Sequence, residues 1–355
     1  MTDNNNFISN MQELFANTSI LTQNDGRNLT QLRQKSFAKF LELGMPNPKV
    51  EEWKYNNLAF LNEKKFSIAE PTKISPEFIE TLCFDGLEST VLVFVNGVYS
   101  PSNSKIIHEN SFEFMPLSKA LGFGEDVEFF NDLAKLKSNA FSLLNTALFR
   151  DGVCIKIKDN CSINAPIHII NIFSAEKENI VVSSRNLIVL GRNSQAKVLE
   201  TFETIGNHYV FNIGVNEFVL KQDAHLERYI IENENEFTYT VNHSQAIQGN
   251  NSIFNSTSVY LDGAYVRNNL FSELRGTHTE THYYGLYLAD KKNFVDNHTF
   301  VDHATPDCQS NEVYKGIIGD EANAVFNGKI LVRPNAQRTN AYQSNKAVLL
   351  SKSAV

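Results

Sequence analysis

From residue 151 onward the chain breaks into short alternating apolar runs, and this pattern restricts the fold more than any other feature. In VCIKIKDN, Val153, Ile155 and Ile157 alternate with polar neighbours, the period of a half-buried strand. Similar runs recur to the end of the chain, broken by Gly, Asn and Asp and without a sustained helical period. The segments LIVLGRNSQAKVLE (187–200), EFVLKQDAHLERY (217–229), SVYLDGAYVRNN (258–269) and GLYLADKKNFVDN (285–297) share one plan: an apolar pair, a short polar turn, then an alternating strand. Equating Leu190, Leu220, Leu261 and Leu288 gives steps of 30, 41 and 27 residues. An irregular period in that range fits a parallel β-solenoid, in which each coil buries its inner face only by stacking on its neighbours. Asn250, Asn251, Asn255, Asn268 and Asn269 read as turn residues, because Asn tolerates left-handed backbone. A β-sandwich is the alternative that pattern alone leaves open.

The first 150 residues read differently. Leu29, Leu32, Ser36, Phe37, Phe40 and Leu41 fall on one helical face, with Gly44 as the C-terminal cap and Pro46 and Pro48 beyond it. Phe7, Ile8, Met11, Leu14 and Phe15 predict an earlier helix. Residues 91–99 predict a buried strand pair around Asn96-Gly97, a dipeptide suited to the positive φ angles of a tight hairpin. Helical stripes follow at Phe129, Phe130, Leu133 and Leu136, and at Phe141, Leu144, Ala147 and Leu148, until Asp151-Gly152 ends them. The expected organisation is a helical region over 1–90, a small α+β connection over 91–150 and a β-helix over 151–355.

Composition excludes several classes. The 355 residues carry a net charge of −8, which argues against a generic nucleic-acid binder or a basic membrane-surface protein. No run of 18 apolar residues spans a membrane, and the polar start MTDNNNFISN lacks the features of a signal peptide. Cys83, Cys154, Cys161 and Cys308 are too few and too scattered for a disulfide framework. A cytoplasmic, reducing location is expected.

The chemistry-bearing motifs are sparse. No G-x-x-x-x-G-K-[ST], G-x-G-x-x-G or G-x-S-x-G occurs, so any ATP hydrolysis linked to this chain belongs to another subunit. Seven of nine histidines follow residue 200. His278 and His282, read as one strand, lie about 13 Å apart on one face, too far for one zinc ion. His303 and Cys308, in DHATPDCQS, place an imidazole and a thiol beside a Pro-broken turn and are the metal-ligand candidates. Neither has C-x-x-C partners that would complete a four-ligand site. Asp262, Asp290, Asp296 and Asp302, with Arg267 and Arg275, raise the alternative of a β-helix carbohydrate lyase or hydrolase.

The stretch from 296 to 351 is the most specific. His303, Ser310, Tyr314-Lys315-Gly316, Val325-Phe326, Gly328-Lys329-Ile330, Ala336-Gln337, Thr339, Ala341, Gln343, Asn345 and Leu349-Leu350-Ser351 strongly resemble the end of the β-helix in the SufB/SufD family of iron–sulfur cluster assembly proteins. Upstream, Gly44-x-Pro46, Glu52-Trp53-Lys54-Tyr55 with Leu58, Phe141-x-x-Leu144-Asn145-x-Ala147 and Asp151-Gly152 look like the SufD branch.

The resemblance implies a right-handed parallel β-helix behind an N-terminal α-helical and α+β region. It implies a non-enzymatic scaffold in the SUF system, pairing through the β-helix edge with a SufB-like paralogue and working with a SufC-like ABC ATPase. A homodimer is the other assembly considered. It further implies a role in iron entry, a transient iron–sulfur cluster in the complex and no cofactor held stably by this chain, with flavin left open; no nucleic-acid or membrane partner is expected. The family pattern normally continues past Ser351, so the segment that docks the ATPase is expected to be missing here. Phe326 and Leu349 are expected to fill the solenoid, Gly316, Gly319 and Gly328 to sit at turns, and Phe326, Lys329, Arg333 and Gln337 to mark the pairing surface.

Overall fold

The computed structural model describes residues 6–18, 25–107, 110–122, 130 and 139–355. The expected helical stripe at Phe129, Leu133 and Leu136 falls outside them, apart from Phe130. Helices α1 (Asn6–Thr18) and α2 (Arg27–Leu43) bury the predicted apolar faces: Phe7, Met11 and Leu14 from one, Leu29, Phe37 and Phe40 from the other. Gly44 ends α2 at φ 66°, its N–H donating to Phe40 O at 2.9 Å. That left-handed conformation is cheap for glycine and stops the helix two residues before the first proline.

A short strand β1 (Ser67–Ile68) and helix α3 (Pro76–Leu82), capped by Ser75, lead to the hairpin of β2 (Thr90–Val95) and β3 (Val98–Tyr99). Its turn is the predicted Asn96-Gly97, at φ 50° and 72°. Strand β4 (Phe112–Pro116) and helices α4 (Leu117–Gly122) and α5 (Ala140–Leu148) complete the covering region.

The solenoid itself consists of β5 (Val153–Ile157), β6 (Ile167–Ala175), β7 (Ile180–Leu190), β8 (Gln195–Gly206), β9 (Val210–Leu220), β10 (His225–Asn233), β11 (Thr238–Gln248), β12 (Ile253–Asp262), β13 (Tyr265–Leu274), β14 (Glu280–Ala289), β15 (Phe294–His303), β16 (Gln309–Ile318), β17 (Asn323–Val332) and β18 (Asn340–Leu349). Odd-numbered strands from β5 to β17 stack into one parallel sheet and even-numbered strands from β6 to β18 into a second, making seven coils. The hairpin strand β2 extends the even sheet beside β6, and β4 closes the odd sheet beside β5.

The registers correct the repeat read from sequence. Leu190 and Leu220 are true neighbours on the odd sheet, but Gln248, Leu274 and His303 continue their row. Leu261 and Leu288 belong to the even sheet, which explains the aberrant step of 41. The repeating element is a corner: Asn160, Asn193, Asp223, Asn251, His278, Asp307 and Arg338 all adopt φ between 51° and 63°. The backbone N–H groups of Asn160, Asn193, Asp223, Asn251 and Asp307 bond to the next coil, as from Asn193 to Gln222 O and from Asp223 to Asn250 O. Asn, and less often Asp or His, tolerates this conformation, so it recurs once per coil.

Two layers of packing result. Inside the coils, Ile155, Ile169, Ile188, Val198, Phe218, Leu226 and Phe254 form one continuous core. Outside the odd sheet, α1, α2 and α5 press Phe7, Phe40 and Phe141 onto Val181, Phe211 and Val241. Each such aromatic ring contributes on the order of 2 kcal/mol.

Candidate functional site at the solenoid end

Strands β17 and β18 are the last in their sheets, and each has a neighbour on one side only. This leaves rows of backbone N–H and C=O groups unpaired by any described strand, a natural template for another strand. Around them Leu331, Val332, Tyr342, Val348 and Leu349 are exposed, Val348 by 59% and Tyr342 by 58%. Polar interior groups also surface here: Asn345 Oδ1 accepts from Tyr287 Oη at 3.1 Å, and the Gln343 side chain lies where a Gly328 Cβ would stand.

The residues expected at this surface take different places. Lys329 is exposed, its Nζ 5.5 Å from the Phe300 ring centroid. Arg333 is exposed and bridges Asp302 and Glu273 at 2.7 and 2.9 Å, contacts that raise its pKa. Gln337 lies exposed beside the last corner, its Nε2 donating to Pro334 O at 2.7 Å. Phe326 instead turns inward against Tyr314, ring centroids 4.7 Å apart. Leu349 continues the inward row of Ile318, yet it is 55% exposed because no described coil covers it. Gly316 and Gly328 lie within strands, not at turns. A Cβ on Gly316 would be 2.1 Å from the Tyr287 ring, so glycine there is a demand of packing.

His303 and Cys308 flank the corner between β15 and β16, both fully buried. His303 Nε2 lies 3.0 Å from Ser310 Oγ, and burial lowers its pKa against the opposing charge of Asp302. Cys308 Sγ contacts Gly276 O at 3.3 Å and Thr305 Oγ1 at 3.4 Å. Among the described residues, no group of three or more His, Cys, Asp or Glu is arranged around a common metal position. His278 occupies a left-handed corner and only His282 lies in strand β14, so the two do not share a strand face as the sequence suggested.

Behind the open end runs a polar interior that sequence reasoning missed. Arg228 Nε donates to Glu200 Oε1 at 2.6 Å, Asn242 Nδ2 donates to Glu232 Oε1 at 2.7 Å, and Glu312 accepts from Thr299. All lie on inward-facing positions, where alternation alone predicts apolar residues. Burial pushes the Glu232 carboxyl well up despite the nearby Arg228 charge, and lifts Glu312 to about 7 against the Thr299 hydrogen bond. A carboxyl whose folded pKa exceeds its unfolded value favours folding while protonated. The Glu312 contribution is therefore complete below the ordinary carboxyl value and lost as pH rises through about 7. We expect Glu312→Gln to remove a pH dependence of up to about 3 kcal/mol between pH 5 and 8. Urea midpoints of both proteins across that range check it; parallel curves would mean that Glu312 titrates normally.

The acidic residues weighed for glycoside chemistry are committed elsewhere. Asp296 is buried against Arg267, Asp302 holds Arg333, and Asp262 and Asp290 both accept from Asn293 Nδ2.

A helix-covered parallel β-solenoid with a polar interior defines the class of this protein. Residues 172–355 match the SufBD core domain of SUF system FeS cluster assembly, and residues 5–169 match the SufBD protein N-terminal region. The chain belongs to the SufBD family. It is 26% identical over 344 residues to the iron–sulfur cluster assembly protein SufD of Escherichia coli, covering 94% of this chain and 77% of that one. It is also 26% identical over 336 residues to an iron–sulfur cluster assembly SufBD family protein of Synechocystis, covering 92% and 74%. To SufD of Bacillus subtilis it is 21% identical over 353 residues, covering 92% and 76%. These relatives favour cluster assembly over the carbohydrate alternative.

Proposed function

We propose that this chain is a non-catalytic scaffold subunit of a cytoplasmic SUF assembly complex. It pairs with a SufB-like paralogue through the open solenoid end, works with a SufC-like ATPase and takes part in iron entry, the nascent cluster being cargo. The observation that carries this reading is the outer coil: two strand edges that no described strand pairs, beside exposed Tyr342, Val348 and Leu349. Strand addition at such an edge supplies main-chain hydrogen bonds, and the apolar side chains supply burial. Family membership supports the process, and the lack of a phosphate-binding loop in the sequence agrees with ATP hydrolysis residing in another subunit.

The test is co-expression of the tagged chain with the SufB-like and SufC-like proteins of its own genome. The unaltered chain should recover the paralogue, and Tyr342→Glu/Val348→Glu should lower recovery about tenfold or more, since each charge would be desolvated in the interface. Both side chains are exposed in the free chain, so folding should survive the change. Undiminished recovery would move the interface elsewhere.

A further inference from the structure

The lateral face of the odd sheet holds a cavity of about 320 Å³, separate from the interior column. Its floor is built from three consecutive coils. Registers align Asn269, His298 and Asn327 in one row, and Phe271, Phe300 and Lys329 in the next. Arg267 borders the first row, and the segment around Trp53 forms the roof. Such a volume suits a small organic molecule.

The polar groups around it are unevenly satisfied. Arg267 is 1% exposed and lies with its guanidinium carbon 3.9 Å from the Trp53 ring centroid. Its Nη1 reaches Asp296, while its buried Nε has no hydrogen-bond partner among the described residues. His298 Nε2 stands 2.8 Å from Asp296 Oδ1. Burial works to raise the Asp296 pKa, but His298 and Arg267 outweigh it and hold the carboxylate charged. Arg267, Lys329 and His298 line the cavity, and among the described residues its one acidic lining residue is the exposed Glu52. A buried arginine with an unused donor is costly to keep, and costs less when an anion completes its shell.

We propose that this cavity binds a small organic carboxylate, its charged group toward Arg267 and Lys329 and its apolar body among Trp53, Phe271 and Phe300. The aromatic walls separate this ligand class from inorganic anions, which gain nothing from apolar burial. The site lies on the side of the solenoid and does not depend on the scaffold assignment.

Trp53 is the single tryptophan of the chain, so its fluorescence reports occupancy directly. Titration of the full chain with sodium benzoate should give a saturable change in Trp53 emission, with sodium phosphate at least about tenfold weaker. Lys329→Glu should weaken benzoate binding about tenfold, and Glu52→Gln should tighten it several-fold, through the change in local charge. Both residues are exposed, and thermal melts of each variant establish that it is folded. Phosphate binding as tightly as benzoate, no saturable change with benzoate, or folded variants that bind like the original chain would each overturn the proposal.

Discussion

Replacing Gly152 with alanine is expected to lower stability by at least about 3 kcal/mol, a large share of the roughly 5–15 kcal/mol that holds a typical domain together. A Cβ at this position would lie 1.7 Å from Arg185 O and 2.6 Å from Arg185 C, both backbone atoms of β7. Neither side can retreat. Gly152 O accepts from Leu117 N at 2.8 Å, and Arg185 N donates to Asp151 O at 3.3 Å. The Asp151 carboxylate accepts from Ser118 N and Tyr99 N, tying the helix α4 and the hairpin to the same point. Gly319→Ala is the matched control, because the nearest atoms to its Cβ belong to Leu350 at 3.9 Å; it should stay within about 0.5 kcal/mol. Urea midpoints of the two variants decide the matter, and a Gly152→Ala protein as stable as the control would show that the strands separate more easily than their hydrogen bonds suggest.

Glu217→Gln should cost about 3–5 kcal/mol, because it removes the opposite charge that faces a fully buried guanidinium. Arg185 Nε and Nη2 both donate to Glu217 Oε1, at 2.9 and 2.6 Å, and neither side chain is exposed. Arg185 Nη1 also donates to Thr146 Oγ1 on α5 at 2.5 Å. The pair therefore joins the solenoid wall to its helical cover, alongside Asn145, whose Nδ2 donates to Ser184 O and Ile213 O. Removing both charges with Arg185→Leu/Glu217→Leu should recover most of the loss, since the desolvation penalty disappears with the ions. Thermal melts of the single and double variants measure this. Equal losses in both would mean that Arg185 matters through packing and not through its charge.

Much of the architecture was legible in local signals. Alternation of period two marks the strands of the coils, because neighbouring side chains on a strand point to opposite faces wherever that strand lies. The cap at Gly44 and the hairpin at Asn96-Gly97 depend on backbone preferences of one or two residues, so they too were readable in advance. The dense motif from 296 to 351 pointed to the family that the comparisons then showed.

Register was a different matter. An apolar pair looks alike on either sheet, so Leu261 and Leu288 were aligned with Leu190 and Leu220 although they occupy the opposite wall. The left-handed corner at Asn160, Asn193, Asp223 and Asn251 carried the true period, but Asn is common enough elsewhere, as at Asn268 and Asn269 inside β13, to hide it. The candidate residues were named without their surroundings. His303 and Cys308 could be picked out by type, but their burial could not, and the Cys308 partner Gly276 lies on a neighbouring coil 32 residues earlier in the chain. The Arg267 cavity was still further from view, since it joins Trp53 to strands more than 200 residues away. Sequence specified the strands, the caps and the family, because those depend on neighbours along the chain. Stacking of the coils set the inner charges and the lateral cavity, because burial and pairing there depend on residues that meet only when the solenoid closes.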